Sequence, residues 1–244
     1  MLMVRDLQAG GDSCGALHGV DFAAEDSSIT AIVGPSGAGK TTLANCICGF
    51  LPVIAGQVIF EDRDITRRPP FERVLRGIAC VPAGRRVFME MSVLENLEFG
   101  SAEFGNTRTR SQLDLVIAHF PELKPFLGAH ADRLSPYLQR ILMFARALMS
   151  APRLLVLDQP FYALSGEQTQ KLTQVISQLN AEATSVLLLE QNLFQAMKLA
   201  DTVYCMAKGR ITAKHSALEL LADRRVQSDF LRGSLQPAAE AMVL

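Results

Sequence analysis

Gly34-Pro35-Ser36-Gly37-Ala38-Gly39-Lys40-Thr41-Thr42 fits the pattern G-x-x-x-x-G-K-[ST], with Gly34, Gly39, Lys40 and Thr41 at its defining positions. The run before it, Ile29-Thr30-Ala31-Ile32-Val33, is apolar and β-branched and reads as a buried strand. The run after it, Thr42-Leu43-Ala44-Asn45-Cys46-Ile47-Cys48, reads as a helix that Gly49 ends. Strand, glycine loop and helix start are the setting this motif requires; a glycine-rich turn before an ordinary helix needs none of the flanks. The glycines let backbone N–H groups turn inward around a phosphate chain, and the helix N-terminus adds partial positive charge. Lys40 is then placed to reach β- and γ-phosphates, and the Thr41 hydroxyl to hold Mg²⁺. Nucleotide binding by Gly34 to Thr42 is the first expectation.

The chain has 244 residues, enough for one large domain or a domain with an inserted subdomain. A formal net charge of −1 gives no sign of nucleic acid as the main partner. No run approaches the ~18 uninterrupted apolar residues of a membrane span, and Met1-Leu2-Met3-Val4-Arg5-Asp6 looks like a first strand, not a signal peptide. The five cysteines are scattered; Cys46 and Cys48 share a short helix without a second ligand pair, so free thiols of a cytoplasmic protein are expected.

From about Met3 to Ala23 the alternation suggests two strands around the turn-rich Gly10-Gly11-Asp12-Ser13. After the phosphate loop come a strand at Gln57–Phe60, a turn at Glu61–Asp64, and a buried strand at Gly77–Val81. The pattern then turns helical. Ser92-x-x-Glu95 is a capping box, further helices fit Ser111–His119 and Pro121–Leu127, and Ser135-Pro136 starts another. Strands return at Leu154–Leu157, Val186–Leu189, Thr202–Met206 and Ile211–Lys214, alternating with helices at Glu167–Leu179 and Leu193–Leu199. Ser216-x-x-Glu219 caps a last helix. This order predicts an α/β fold: a mostly parallel sheet covered on both faces, an antiparallel β part at the N-terminus, and an inserted helical subdomain. The expected division is 1–83 and 151–233 for the nucleotide-binding core, 84–150 for the helical insert and 234–244 for a tail.

Leu154-Leu155-Val156-Leu157-Asp158 delivers a carboxylate to a strand end, where phosphate-loop proteins use one to support Mg²⁺ beside the loop hydroxyl. Around these landmarks the chain resembles the ATP-binding subunits of ABC transporters, a P-loop NTPase family with a RecA-like core. It is most similar to the ATPase subunits of branched-chain amino-acid and amide importers. Gly77-Ile78-Ala79-Cys80-Val81-Pro82-Ala83-Gly84-Arg85-Arg86-Val87-Phe88 is similar to that subfamily's "GIAYVPEGRRVF". Ser92-Val93-Leu94-Glu95-Asn96-Leu97 follows at the expected distance, and Glu190-Gln191-Asn192 stands where most relatives have a switch histidine. Gly209-Arg210-Ile211 and Ala217 to Asp223 match the subfamily's C-terminal end. The resemblance runs from about Val4 to Gly233.

It implies ATP and Mg²⁺ as cofactors, with Gly34 to Thr42 on phosphate, Thr41 and Asp158 on the metal, and Gln159 and Gln191 flanking the γ-phosphate. It implies a dimer in which each ATP lies between one subunit's phosphate loop and the other's signature, Ser135 included. It further implies transmembrane permease subunits, indirectly a solute-binding protein, and a place on the inner face of the cell membrane.

Several positions depart from that family. The signature Leu-Ser-Gly-Gly-Gln/Glu is Leu134-Ser135-Pro136-Tyr137-Leu138. The glutamate after the strand-end aspartate is Gln159, an amide that can hold water but is no useful base near neutrality; losing a general base costs typically ~10²–10⁴ in rate. Pro-Ser/Thr-x-Gly-Leu becomes Pro160-Phe161-Tyr162-Ala163-Leu164. The adenine-stacking aromatic falls on Gly10 or Gly11, and the Gln or Glu after Pro82 is Ala83. Gln159 alone would also suit an engineered ATP trap, but not the other changes with it. Two functions remain open: a transporter ATPase with weakened hydrolysis, or a non-hydrolysing ATP-binding partner of a competent cassette in a heterodimer. A homodimer would carry every defect in both sites.

Overall fold

The computed structural model describes residues 1–11, 14–84, 87–101 and 106–222. Asp12-Ser13, Arg85-Arg86, Asp223 and the expected tail lie outside the described residues. In chain order the elements are β1 (Leu2–Gly11), β2 (Cys14–Ala24), β3 (Ile29–Val33), α1 (Lys40–Cys48), β4 (Val53–Phe60), β5 (Arg63–Asp64), α2 (Pro70–Leu75) and β6 (Ile78–Val81). The helical stretch is α3 (Val93–Gly100), α4 (Asn106–His119), 3₁₀ turns at Pro121–Phe126 and Ala131–Arg133, and α5 (Pro136–Leu148). Then follow β7 (Leu154–Asp158), α6 (Gly166–Ala181), β8 (Ser185–Glu190), α7 (Leu193–Met197), β9 (Thr202–Ala207), β10 (Arg210–Ser216) and α8 (Ala217–Ala222).

Two sheets result. The antiparallel one runs β2-β1-β4-β5; the larger runs β10-β9-β3-β8-β7-β6 and is parallel except where β10 joins β9. Alternation along the central strands feeds two cores, because successive side chains leave opposite faces. Leu155 and Leu157 of β7 join Leu97, Phe144 and Leu172 of the helices. Leu154 and Val156 join Leu43 and Ile47 of α1, together with Val4 and Val58 of the smaller sheet. With β3, β8 and β7 adjacent and parallel, their C-terminal ends meet at one edge, where ligands of open α/β sheets bind. That edge carries the phosphate loop, Glu190 and Asp158.

Several elements differ from the sequence reading: the short β5 lies within the turn expected at Glu61–Asp64, and α4 starts at Asn106, ahead of the expected Ser111. The strand expected from Gln57 begins at Val53, because a bulge there interrupts the alternation: Gly56 lies at φ 86° against Asp6 at φ 42°. The unforeseen α2 inverts the usual pattern, exposing Phe71, Val74 and Leu75 while burying Arg73. Arg73 donates to the Cys46 and Ile47 carbonyls at 2.6 and 2.7 Å, adding a second donor to Cys46 beside the Gly49 N–H. The helix expected over Pro121–Leu127 is 3₁₀, with Pro125 inside it removing a donor. Capping boxes with both reciprocal bonds start α3 at Ser92–Glu95, α6 at Ser165–Gln168 and α8 at Ser216–Glu219.

Candidate functional site

The loop between β3 and α1 has the shape its glycines allow. A side chain at Gly34 would overlap the Met206 carbonyl oxygen, and Gly37 and Gly39 sit at φ 79° and 106°, where only glycine rests without strain. The first bond of α1 runs from Leu43 N–H to the Gly39 carbonyl at 2.9 Å. The amides of Lys40, Thr41 and Thr42 therefore have no acceptor within the helix. No acidic residue occupies its first turn and no side chain caps it, so this end faces outward with its partial positive charge. Ala38 is anchored from behind, its carbonyl accepting from Gly209 N–H at 2.8 Å.

Lys40 is buried, and its Nζ donates to the Gly34 and Pro35 carbonyls at 2.7 and 2.8 Å. Burial pushes its amine below the ordinary value, while Asp158 and Glu190 pull the other way. The Thr41 hydroxyl donates to Asp158 Oδ2 at 2.7 Å. Asp158 Oδ1 is buried and makes no hydrogen bond within the described residues. An orphaned carboxylate oxygen beside a hydroxyl is a donor set that fits a hard divalent cation. Burial lifts the Asp158 carboxyl above its ordinary value, against the Thr41 hydrogen bond and the Lys40 charge.

Beyond Asp158 the chain turns sharply. Gln159, half-buried, takes φ 52°, its N–H donating to the Leu189 carbonyl at 2.9 Å. Arg140 of α5 reaches this turn, donating to the Gln159 and Tyr162 carbonyls at 3.4 and 3.2 Å. Phe161 is buried in the helical core and Tyr162 exposed. Ala163 keeps φ 58°, the left-handed conformation that a glycine takes freely.

Glu190 was not foreseen as a site residue. It is 6% exposed, with Oε1 accepting from Phe161 N–H at 3.4 Å and Oε2 from Gln191 N–H at 3.1 Å. Its carbonyl accepts from Gly34 N–H at 3.2 Å. Burial raises its carboxyl, the two amides and Lys40 oppose that, and Asp158 adds to it. The signal was in the chain: a buried apolar run ending in an acid, as at Asp158. Arg140 gave none, being one cation on a helix.

Ser135 stands apart from this cluster as the N-cap of α5, its hydroxyl accepting from Leu138 N–H at 3.3 Å. Pro136 occupies the first turn, where its missing N–H costs nothing. Tyr137 folds back on the helical core, its hydroxyl donating to Glu122 at 3.1 Å. Burial, then the Glu122 carboxylate, lifts this phenol to about 12. Gln191 is exposed beside Asn192, the N-cap of α7. Thus one chain brings together Gly34 to Thr42, Asp158, Gln159 and Glu190, with Gln191 at the rim.

A family model described as "ABC transporter" matches residues 17–162, more than half of the chain and the whole path from the loop through Asp158 to Tyr162. The chain belongs to the ABC transporter family. As an ABC cassette it is 36% identical over 218 residues to the high-affinity branched-chain amino acid transport ATP-binding protein BraG of Pseudomonas aeruginosa, covering 89% of this chain and 94% of that one. The probable branched-chain amino acid transport ATP-binding protein LivF of Archaeoglobus fulgidus is 33% identical, with 93% and 97% covered. Among solved structures, a nucleotide-free ATP-binding cassette from an ABC transporter superposes with a TM-score of 0.81 at 26% identity, over 93% of this chain and 97% of that one. The cassette is thus an ATP-binding subunit of an ABC transporter, with the family's α/β fold. Among the described residues no helix is long and apolar enough to cross a membrane.

Proposed function

We propose that this cassette binds Mg·ATP to energise uptake of branched-chain amino acids or a related small polar solute, with its own hydrolysis weakened. The observation that carries the reading is one group of contacts: Lys40 over the loop carbonyls, Thr41 on Asp158 at 2.7 Å, and a free Asp158 oxygen, followed by Gln159. The amides of residues 34–42 and Lys40 would take the phosphates, and Thr41 and Asp158 the Mg²⁺. That ion, when bound, neutralises charge on the β- and γ-phosphates. Gln159 and Gln191 would flank the γ-phosphate, Gln159 holding a water without taking its proton. The solute class rests on what BraG and LivF are named for.

The partner cassette would contribute its own signature over this loop and receive Ser135 from this chain. Permease subunits would dock on the apolar groove of 480 Å³ between the two parts of the fold, lined by Phe50, Phe71, Val74, Phe88 and Phe99. Those contacts would keep the cassette on the inner face of the membrane, with residues 84–150 as the docking subdomain between the core segments 1–83 and 151–233. A second reading, favoured by Gln159 and Tyr137 together, makes this chain the non-hydrolysing half of a heterodimer.

Titration of the purified chain with ATP, and turnover measured alone and mixed with a cassette carrying Glu and an intact signature, tests both. Micromolar binding with turnover ~10²-fold or more below such a cassette is expected. Brisk turnover of the isolated chain would overturn the weakened-hydrolysis reading. Turnover that rises only in the mixture favours the heterodimer.

A further inference from the structure

Glu190 is a buried carboxylate for which phosphate binding gives no use. It lies between β3 and β7 at the sheet edge, and its three contacts lead to three different parts of the site. Its carbonyl holds Gly34 N–H at the loop entrance, Oε1 holds Phe161 N–H in the turn after Asp158, and Oε2 holds Gln191 N–H. A carboxyl group that accepts from two backbone amides, here at 3.4 and 3.1 Å, ties both amides to one side chain. Arg140 donates to the same turn, at the Gln159 and Tyr162 carbonyls.

We infer that Glu190 is a positioning residue that locks the Gln159–Phe161 turn to the Gln191 backbone, so that both glutamines meet the γ-phosphate as one unit. This rests on the reading that residues 34–42 hold ATP. ADP lacks the γ-phosphate and touches neither glutamine, so loss of the lock weakens ATP selectively. A glutamine at 190 offers one oxygen and one NH₂, leaving one of the two backbone donors facing another donor. An aspartate keeps the charge near Lys40 but is one methylene too short to span both amides.

The test is displacement of a fluorescent ATP analogue from the full chain by AMPPNP and by ADP, with Mg²⁺, for wild type, Glu190→Gln and Glu190→Asp. The expected result is an AMPPNP-over-ADP preference in wild type that falls about tenfold or more in both variants, with ADP affinity held within about threefold. Thermal unfolding reports whether each variant is folded; if Glu190→Gln is not, Glu190→Asp carries the test. An unchanged preference, an equal loss for both nucleotides, or Asp behaving as wild type overturns the lock. A wild type that binds both nucleotides equally overturns it too. A wild type that binds neither overturns the nucleotide reading itself, which separates the two failures.

Discussion

The phosphate loop and the closing elements of this cassette have fared differently. In the loop, the proposed grip rests on backbone amides, one lysine and one hydroxyl, with Lys40 on the Gly34 carbonyl and Thr41 on Asp158. In the segments Ser135 to Leu138 and Gln159 to Ala163, the side chains depart from the family's pattern while the backbone still forms an N-capped helix start and a sharp turn. Ala163 holds a left-handed φ of 58° without being glycine, and Pro136 and Tyr137 start α5 with an ordinary N-cap. Tyr137 finds a partner in Glu122 instead of projecting freely. Folding therefore tolerates these replacements, and the difference between the regions lies in chemistry: grip depends on conformation, cleavage on particular functional groups.

The largest effect should come from the loop. Lys40→Ala removes the cation whose charge acts on Asp158 and Glu190 and that is proposed to face the phosphates. Charge-assisted hydrogen bonds contribute about 1.5–3 kcal/mol each, so losing two weakens ATP by on the order of 10²-fold or more. Equilibrium titration checks this, and micromolar binding by the variant would break the assignment of the loop as the gripping half.

Gln159→Glu sharpens the other side. It restores a carboxylate next to Asp158, at a turn fixed by Leu189 and Arg140. If cleavage also needs the signature glycines, turnover rises by about tenfold or less, short of the ~10²–10⁴ a general base supplies. A rise through that full range in a steady-state phosphate-release assay would place the whole defect at Gln159.

What could be read beforehand divides along the same line. The loop, Asp158 and the alternation of strands with helices were legible because glycine spacing and buried apolar runs are local signals. The replaced signature was also visible, but not that Tyr137 would turn toward Glu122, a contact fifteen positions away in sequence. Nor was α2, whose burial of Arg73 depends on the carbonyls at the end of α1. Glu190 was legible as a strand-end acid, yet its role comes from amides on two loops. Contacts of that kind are set by tertiary packing, and no window of sequence contains them.

The gripping half also carries a cost that a final substitution can expose. Asp158 and Glu190 have carboxyls raised by burial, and Lys40 an amine lowered by it, so burial works against the charged form of each. A carboxyl raised in the folded state contributes stability below its unfolded value, lost as pH rises through the folded one. From these two groups, nucleotide-free stability should fall as pH rises above the ordinary carboxylate range. Asp158→Asn keeps an oxygen for the Thr41 hydroxyl and removes one charge. It should stabilise the nucleotide-free chain by about 1 kcal/mol at pH 7, have little effect near pH 3.5, and weaken Mg²⁺-dependent ATP binding. Thermal unfolding of variant and wild type at the two pH values isolates this group, because the lowered carboxyls of Asp64, Glu95, Glu167 and Glu219 cancel in the difference. A variant less stable than wild type at pH 7 would mean that the charge already has its full complement of partners within the chain, with none left for a metal.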